Sequence, residues 1–170
     1  MKLPLALSAL LSLAAICPAK ALATDLQEYS PMEIQTSYSV VVTDHITDCR
    51  DFYVRNFGFK VVFESTWFIY LESPGERHVA VAFMTCDHPS HPPGPERFSG
   101  EGMFLTLQVA DARQAHDHLE QSGARIAYPL ADEPWGQRRF GLRDPSGMWV
   151  DVVEQIDPAP GFWDPYMPAM

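Results

Sequence analysis

The middle and the end of the chain repeat one plan, which is a strand, a helix, a glycine and then further strands. In the first copy, a strand pattern at 38–44 precedes a helical pattern that ends at Gly58. In the second copy, a strand pattern at 103–109 precedes a helical pattern that ends at Gly123. A repeat of about fifty residues is typical of units that bury their apolar faces against one another. We therefore expect any shared site to lie where the two copies meet.

Length and composition limit the class of protein and the class of partner. With 170 residues, 46% of them hydrophobic, the chain is long enough for one full core or two small joined modules. The formal net charge is -10, and the sequence has only 12 lysines and arginines. Phosphate binding needs clustered cations, so we expect neither a nucleic-acid partner nor an anionic membrane surface.

The first residues are typical of a targeting segment. Lys2 supplies a positive charge, residues 3–15 form an apolar run, and small side chains stand before Thr24. We expect a signal peptide at 1–23, a periplasmic or secreted mature protein, and no membrane anchor after cleavage. The alternative is translation from Met32, which predicts a cytoplasmic protein.

Changes in composition divide the remaining chain. A polar leader at 24–35 precedes a domain at 36–155, in which a Pro-rich linker joins modules at 36–86 and 102–155. The linker has too many prolines for the interior of a strand or helix. The tail at 156–170 carries prolines and aromatic residues, and such exposed apolar side chains are usually docked on the same chain or on a partner subunit.

Within the modules, the local signals predict where elements begin and end. Thr47 or Asp48 is expected to cap the first helix, and Gly58 to end it. The residues at 144–147 predict a turn between two strands, because Pro145 presets its backbone and Gly147 tolerates its closing conformation. Alternation along the last strand then places three side chains on one face: Trp149, Asp151 and Val153.

Cysteines and histidines give weaker signals. Cys49 and Cys86 form a disulfide only if the fold brings their Cα atoms within about 7 Å of each other, and we expect free buried thiols instead. Cys86, His88 and His91 form a donor-rich stretch in the linker. A zinc site needs a fourth donor and a rigid scaffold, so we expect these three to be solvent-exposed loop residues.

Four segments carry a resemblance to a known family. They lie at 40–44 and 52–59 and, most specifically, at 133–140 and 143–147. Over residues 36–155 the chain resembles the vicinal-oxygen-chelate superfamily, which includes glyoxalase I, bleomycin-resistance proteins, fosfomycin-resistance enzymes and extradiol dioxygenases. The resemblance implies an α+β fold in which two βαβββ modules form an incompletely closed, eight-stranded, barrel-like sheet around a groove. It also implies a homodimer.

The resemblance further implies where metal ligands would lie. Metal-dependent members carry one ligand on each of four strands, usually His or Glu, and the equivalent positions here are near Ser37, Phe83, Phe104 and Asp151. Of these, Asp151 alone is a strong ligand for a divalent ion, because phenyl rings offer no lone pair. We therefore expect no metal and no other cofactor, and iron-dependent dioxygenase chemistry is disfavoured for the same reason.

Aromatic rings in place of metal ligands predict an apolar groove that holds a planar or hydrophobic molecule. The expected ligand-binding residues are Phe83, Phe104, Thr106, Trp135, Arg139, Trp149 and Asp151. Trp67 or Phe68, together with Tyr70, is expected near the rim. Asp151 has three possible roles: to bind a cation of the ligand, to act as a base, or to form a structural ion pair with Arg138 or Arg139.

Three functions follow as alternatives. The first is metal-independent binding of a small organic molecule between the modules, in the way that bleomycin-resistance proteins sequester antibiotics. The second is a glyoxalase-like lyase or isomerase, working with a metal or with Asp151 as base. The third is a dimeric accessory protein whose aromatic tail is the active surface.

Overall fold

The computed structural model describes residues 34–75, 79–94 and 96–167. The signal peptide predicted at 1–23 lies outside these residues, as does nearly all of the predicted leader. Within the described part of the chain, none of the helices combines the length and the apolar character that crossing a membrane requires.

Two βαβββ modules follow each other along the chain, as the repeat predicts. The first contains β1 (Ser39–Val42), α1 (Ile46–Phe57), β2 (Lys60–Glu64), β3 (Phe68–Glu72) and β4 (Ala80–Met84). The second contains β5 (Phe104–Gln108), α2 (Ala112–Gln121), β6 (Ile126–Glu133), β7 (Gln137–Arg143) and β8 (Trp149–Gln155). The tail includes a short 3-10 helix at Asp164–Tyr166.

Each module forms one mixed sheet with the same topology. The strand orders are β1-β4-β3-β2 and β5-β8-β7-β6. In both sheets the first strand runs parallel to the last, and the other neighbours are antiparallel. This arrangement confirms the predicted α+β fold, and two separate four-stranded sheets are consistent with a barrel that is not fully closed.

The ends of the helices agree only partly with the predicted caps. The first helix begins directly after His45, whose ring lies 3.3 Å from the carboxylate of Asp48, so the cap expected from Thr47 or Asp48 does not form. As predicted, this helix ends at Gly58, which has the left-handed φ of 69° that glycine adopts readily. The second helix is capped by Asp111, which accepts a 2.9 Å hydrogen bond from the N3 backbone N–H.

One hydrophobic core joins the helix-facing sides of both sheets. It contains α1 residues such as Cys49 and Tyr53 together with side chains from both sheets: Val41, Ile69, Leu71, Val81, Phe83, Phe140, Leu142, Val150 and Val152. Polar contacts also join the modules, since the Tyr53 hydroxyl donates to Asp144 over 3.1 Å. Because strand residues alternate between faces, the other face of each sheet points away from this core. We call it the open face.

Candidate functional site

The structure corrects the predicted position of Phe83. Its side chain is fully buried, and its ring centroid lies 5.5 Å from that of Tyr53 in α1. Phe83 therefore belongs to the core side of the first sheet and does not line a groove. Alternation places its neighbours Ala82 and Met84 on the open face instead.

An apolar cavity of about 470 Å³ lies on the open face of the first sheet. Its strand residues are Val40, Val42, Phe63, Phe68 and Met84, and Tyr38 lies just before β1. Trp67 and two linker residues, Ser90 and Pro92, complete the lining. The sequence placed Trp67 or Phe68 near the rim, and both contribute. The walls are mainly hydrocarbon, so the cavity suits a molecule that binds by burial and stacking.

The linker is held against this cavity by specific contacts. The His88 ring stacks on Trp67 with a centroid distance of 3.8 Å and an interplanar angle of 4°. Arg97 forms a 2.6 Å ion pair with Asp44, just beyond the end of β1. The cavity is therefore bounded by the first module and by the segment that leads to the second.

The donor-rich stretch in the linker does not converge on one point. Cys86 accepts a hydrogen bond from Arg97 Nη2 at 3.3 Å, whereas His88 stacks on Trp67 and its Nδ1 contacts Ser90. Both Cys49 and Cys86 are free thiols, but only Cys49 is buried, so the expectation of a buried Cys86 was wrong. The expectation of solvent-exposed donors therefore holds for Cys86, whereas His88 and His91 are half-buried and His91 Nε2 is buried without a hydrogen-bond partner among the described residues.

The open face of the second sheet gathers most of the predicted ligand-binding residues. Register pairs Thr106 with Asp151 and Phe104 with Trp149 on neighbouring strands. The Trp149 ring lies against Gly141, where a Cβ atom would overlap it. Thr106, Trp149 and Asp151 are therefore adjacent, with Phe104 beside them at the edge of the sheet.

The carboxylate of Asp151 is the polar centre of this face. The residue is only 5% exposed, and its Oδ1 has no hydrogen-bond partner within the described residues. Its Oδ2 forms the ion pair with Arg139 that the sequence analysis considered, but the 3.6 Å distance to Arg139 Nη1 is longer than a normal hydrogen bond. Arg138, the other predicted partner, instead forms two hydrogen bonds with Asp132, at 2.6 and 2.9 Å. A buried carboxylate oxygen without a donor is a place where a ligand's N–H or O–H group is favoured.

Arg139 is held by groups other than Asp151. Its Nε donates to Glu133 over 3.0 Å, and the Tyr128 hydroxyl donates to the same oxygen over 2.7 Å. Its Cζ atom lies 4.9 Å from the Trp135 ring centroid and 5.3 Å from that of Tyr128. The hydrogen bond from Tyr128, followed by that from Arg139, lowers the pKa of Glu133. Trp135 therefore contributes to the site indirectly, by contacting Arg139.

The residues at the family's ligand positions do not fit a divalent ion. Ser37 lies before β1, Phe83 is in the core, and Phe104 presents a hydrocarbon ring that is 62% exposed. Only Asp151 offers a strong donor, and it lies beside the cationic Arg139. Such a set lacks the three or four donors that a zinc or iron site requires.

One other group of donors among the described residues could share an ion. It consists of His116, Asp117 and Glu120 on the surface of α2. The His116 Nδ1 lies 3.7 Å from Glu120, an i,i+4 contact typical of a helix, and 3.6 Å from the neighbouring Asp117. The cluster lies on a helix, outside both open faces.

Several residues of the site were missed from the sequence. Val40, Val42 and Met84 were not assigned to the groove, because the three consecutive valines of β1 and all of β4 are apolar and show no alternation. Glu133, the last residue of β6, was not assigned to the site either. The small Gly141 among larger strand residues is the one signal that indicates close approach of another side chain.

Comparison with known proteins agrees with this geometry. A family model described as the Glyoxalase/Bleomycin resistance protein/Dioxygenase superfamily matches residues 35–152. The chain belongs to this superfamily. The match confirms the resemblance drawn from the segments at 133–140 and 143–147, and the tail after residue 152 lies outside it. No curated protein sequence matches the chain.

Solved structures of superfamily members share the fold. A glyoxalase/bleomycin resistance protein/dioxygenase from Nocardioides is 20% identical with a TM-score of 0.62, covering 79% of this chain and 93% of its own. A superfamily member from Sphaerobacter thermophilus is 26% identical with a TM-score of 0.53, covering 72% and 98%. The lactoylglutathione lyase of Agrobacterium tumefaciens is 16% identical with a TM-score of 0.57, covering 74% and 95%.

Proposed function

We propose that this superfamily member binds a small, planar and largely apolar molecule on its open faces, without a metal ion or other cofactor. The observation that carries the proposal is the apolar cavity of about 470 Å³ on the first sheet. Ligand sites usually enclose about 300–1,000 Å³ and are lined mainly by hydrophobic and aromatic side chains. Sequestration of a toxic organic compound such as an antibiotic is the role that such a site would serve.

The second sheet supplies the polar end of the proposed site. Asp151 Oδ1 is buried without a donor, and Trp149 lies next to it on the same face. A ligand that carries an ammonium group or another hydrogen-bond donor would satisfy this oxygen. We therefore propose an aromatic body with a donor group as the ligand class.

A second copy of the chain is the partner that would bring the two halves together. Both open faces point away from the shared core and carry exposed apolar side chains, including Phe104, Val40 and Phe63. A homodimer that sets the first sheet of one copy against the second sheet of the other covers these side chains and completes the groove. Sedimentation velocity tests this arrangement, and a monomer at micromolar concentration contradicts it.

Two nearly isosteric probes test the binding proposal by equilibrium dialysis. They are 2-naphthylmethylammonium and 2-ethylnaphthalene, which share a flat body and differ in the donor group. We expect both to bind, and Val40→Thr to weaken both roughly fivefold, because it places a hydroxyl in the apolar wall.

The matched control is Val54→Thr on the surface of α1. Val40 is 42% exposed and Val54 is 41% exposed, but only Val40 lines the cavity. We expect the control to bind like the wild type. Failure of both probes to bind, or equal losses in the two variants, contradicts the proposal.

A second candidate is a lyase or isomerase in which Asp151 acts as base. The unpartnered Oδ1 of this buried carboxylate favours it, because a base must be free to accept a proton from the substrate. The solved lactoylglutathione lyase suggests lactoylglutathione as the compound to assay. Turnover by the wild type and its loss in Asp151→Asn would support catalysis, whereas turnover by neither leaves binding as the function.

A further inference from the structure

The C-terminal segment 156–167 folds back on the loop between β6 and β7. The Ala159 N–H donates to the Pro134 carbonyl over 2.9 Å, and the Trp163 indole N–H donates to the Trp135 carbonyl over 3.0 Å. The superfamily match ends at residue 152, before this segment begins. It is anchored to the loop that carries Trp135.

A glycine in the loop allows the segment to approach the loop backbone closely. Gly136 has a φ of +102°, and a Cβ atom there would lie only 2.9 Å from the Ile156 carbonyl oxygen and 3.2 Å from the Pro158 nitrogen. A side chain at this position would push the segment away. The ring of Phe162 adds a contact with Trp135 at a centroid distance of 6.3 Å.

The residue that this loop controls is Arg139. Trp135 covers one side of its guanidinium, and Glu133 accepts a hydrogen bond from its Nε. These contacts keep the guanidinium 3.6 Å from Asp151 Oδ2, short of a direct hydrogen bond. If Arg139 were released, a bidentate pair with Asp151 would be the favoured arrangement, because charged planar groups bind strongly in that geometry.

We propose that the segment 156–167 is a positioning element that sets the specificity of the site. By fixing Trp135, it keeps Arg139 at ion-pair distance from Asp151 Oδ2 and leaves Oδ1 free for a ligand that carries a hydrogen-bond donor. Trp163 is the positioning residue, since its indole N–H joins the segment to Trp135. This inference rests on the proposed function, because it assumes that the open face of the second sheet receives a ligand.

Comparing the two naphthalene probes distinguishes a positioning role of Trp163 from a general effect on the stability of the protein. In Trp163→Ala, we expect the affinity for 2-naphthylmethylammonium to fall roughly tenfold, the value of one hydrogen bond to a charged group. The affinity for 2-ethylnaphthalene should not change, because it makes no bond to Asp151. The control is Met167→Ala in the same segment, where the side chain is 65% exposed. Equal losses for both probes would overturn the inference.

A double-mutant cycle tests whether the effect passes through Arg139. In the Arg139→Met background no guanidinium is present to occupy Asp151, so adding Trp163→Ala should cause no further loss of ammonium binding. Trp163→Phe, which keeps a ring but removes the N–H donor, should give an intermediate loss in the wild-type background. An undiminished tenfold loss in the Arg139→Met background overturns the inference.

NMR spectroscopy of the Arg139 side chain tests the positioning role without any ligand. In the wild type, the Arg139 Nε–Hε resonance lies within the ring-current field of Trp135 and Tyr128. In Trp163→Ala it should shift, because the guanidinium moves relative to the Trp135 ring and toward Asp151, and in Met167→Ala it should stay. If neither probe binds the wild type, the proposed function fails, and this resonance still tests the position of Arg139. A resonance unmoved by Trp163→Ala refutes the positioning role.

Discussion

Replacing Tyr53 with phenylalanine should remove the hydrogen bond that joins the two modules through their core. Tyr53 is fully buried in α1, and its hydroxyl donates to Asp144 Oδ2 over 3.1 Å. The other oxygen of Asp144 already accepts from the Ser146 N–H, the Ser146 hydroxyl and the Met148 N–H. Those donors all engage Oδ1, so within the described residues Tyr53 is the hydrogen-bond donor on which Oδ2 depends.

The expected loss follows from the charge and burial of the acceptor. A hydrogen bond to a charged group contributes about 1.5–3 kcal/mol, and removing the donor also leaves a buried carboxylate oxygen unpaired. We expect Tyr53→Phe to lower the free energy of unfolding by about 2 kcal/mol at neutral pH. The ring itself is retained, so the apolar contacts of Tyr53 with Phe83 persist.

The pH dependence of stability gives an independent check. Burial raises the pKa of Asp144 above its ordinary value of 3.8, and the bonds from Ser146, Met148 and Tyr53 oppose this rise. The folded state therefore binds this proton at a higher pH than the unfolded chain does. The contribution of Asp144 to the free energy of unfolding consequently increases as the pH falls from the raised pKa to the ordinary value. Tyr53→Phe removes one opposing bond, so it should extend this window to higher pH.

Urea unfolding followed by circular dichroism measures the effect. The midpoint should fall with the slope unchanged, which reports a loss of stability in a two-state transition. The matched control is Tyr70→Phe, because the Tyr70 hydroxyl donates to Glu72 over 3.2 Å near the surface. If Tyr53→Phe costs no more than Tyr70→Phe, the reasoning about the buried bond is refuted.

Three further predictions concern thiols, packing and a helix cap. Burial raises the pKa of the Cys49 thiol to about 12, so peptide mapping at pH 8 should find iodoacetamide on Cys86 but not on Cys49 until urea is added. Gly141→Ala should displace the Trp149 ring and cost about 1–3 kcal/mol, and unchanged tryptophan fluorescence would contradict this. Asp111→Ala should cost about 1 kcal/mol of unfolding free energy, because α2 loses its side-chain cap.

The fold was largely predictable because its signals are local. Gly58 ends α1 as a left-handed glycine should, and the turn at 144–147 joins two strands as its proline and glycine indicate. Which side chains of β4 point into the core was not predictable, because the residues from Ala80 to Met84 are all apolar. Without alternation, nothing in the sequence states that Phe83 packs on α1. On β8, by contrast, Val150 and Val152 lie in the core and Trp149 and Asp151 on the other face, as the sequence predicted.

The candidate site was predictable only where one strand determined it. Trp149 and Asp151 follow from the parity of β8, but the role of Trp135 depends on a segment more than twenty residues later in the chain. The contact between Trp163 and the Trp135 carbonyl joins residues with no shared local pattern. Gly136 indicates that another part of the chain approaches closely there, but it does not indicate which residues do so. Long-range contacts of this kind are fixed by tertiary packing, which a single sequence does not display.

Two buried aspartates show how the same residue type takes different roles. Asp144 and Asp151 are both almost inaccessible to solvent. Asp144 has donors on both oxygens, supplied by its own turn and by Tyr53, so its burial is partly compensated and its role is to join the modules. Asp151 has an oxygen without a donor, beside an arginine that other groups hold at 3.6 Å. Leaving a buried carboxylate oxygen unpaired is unfavourable for stability, and a bound ligand that supplies the donor removes that cost.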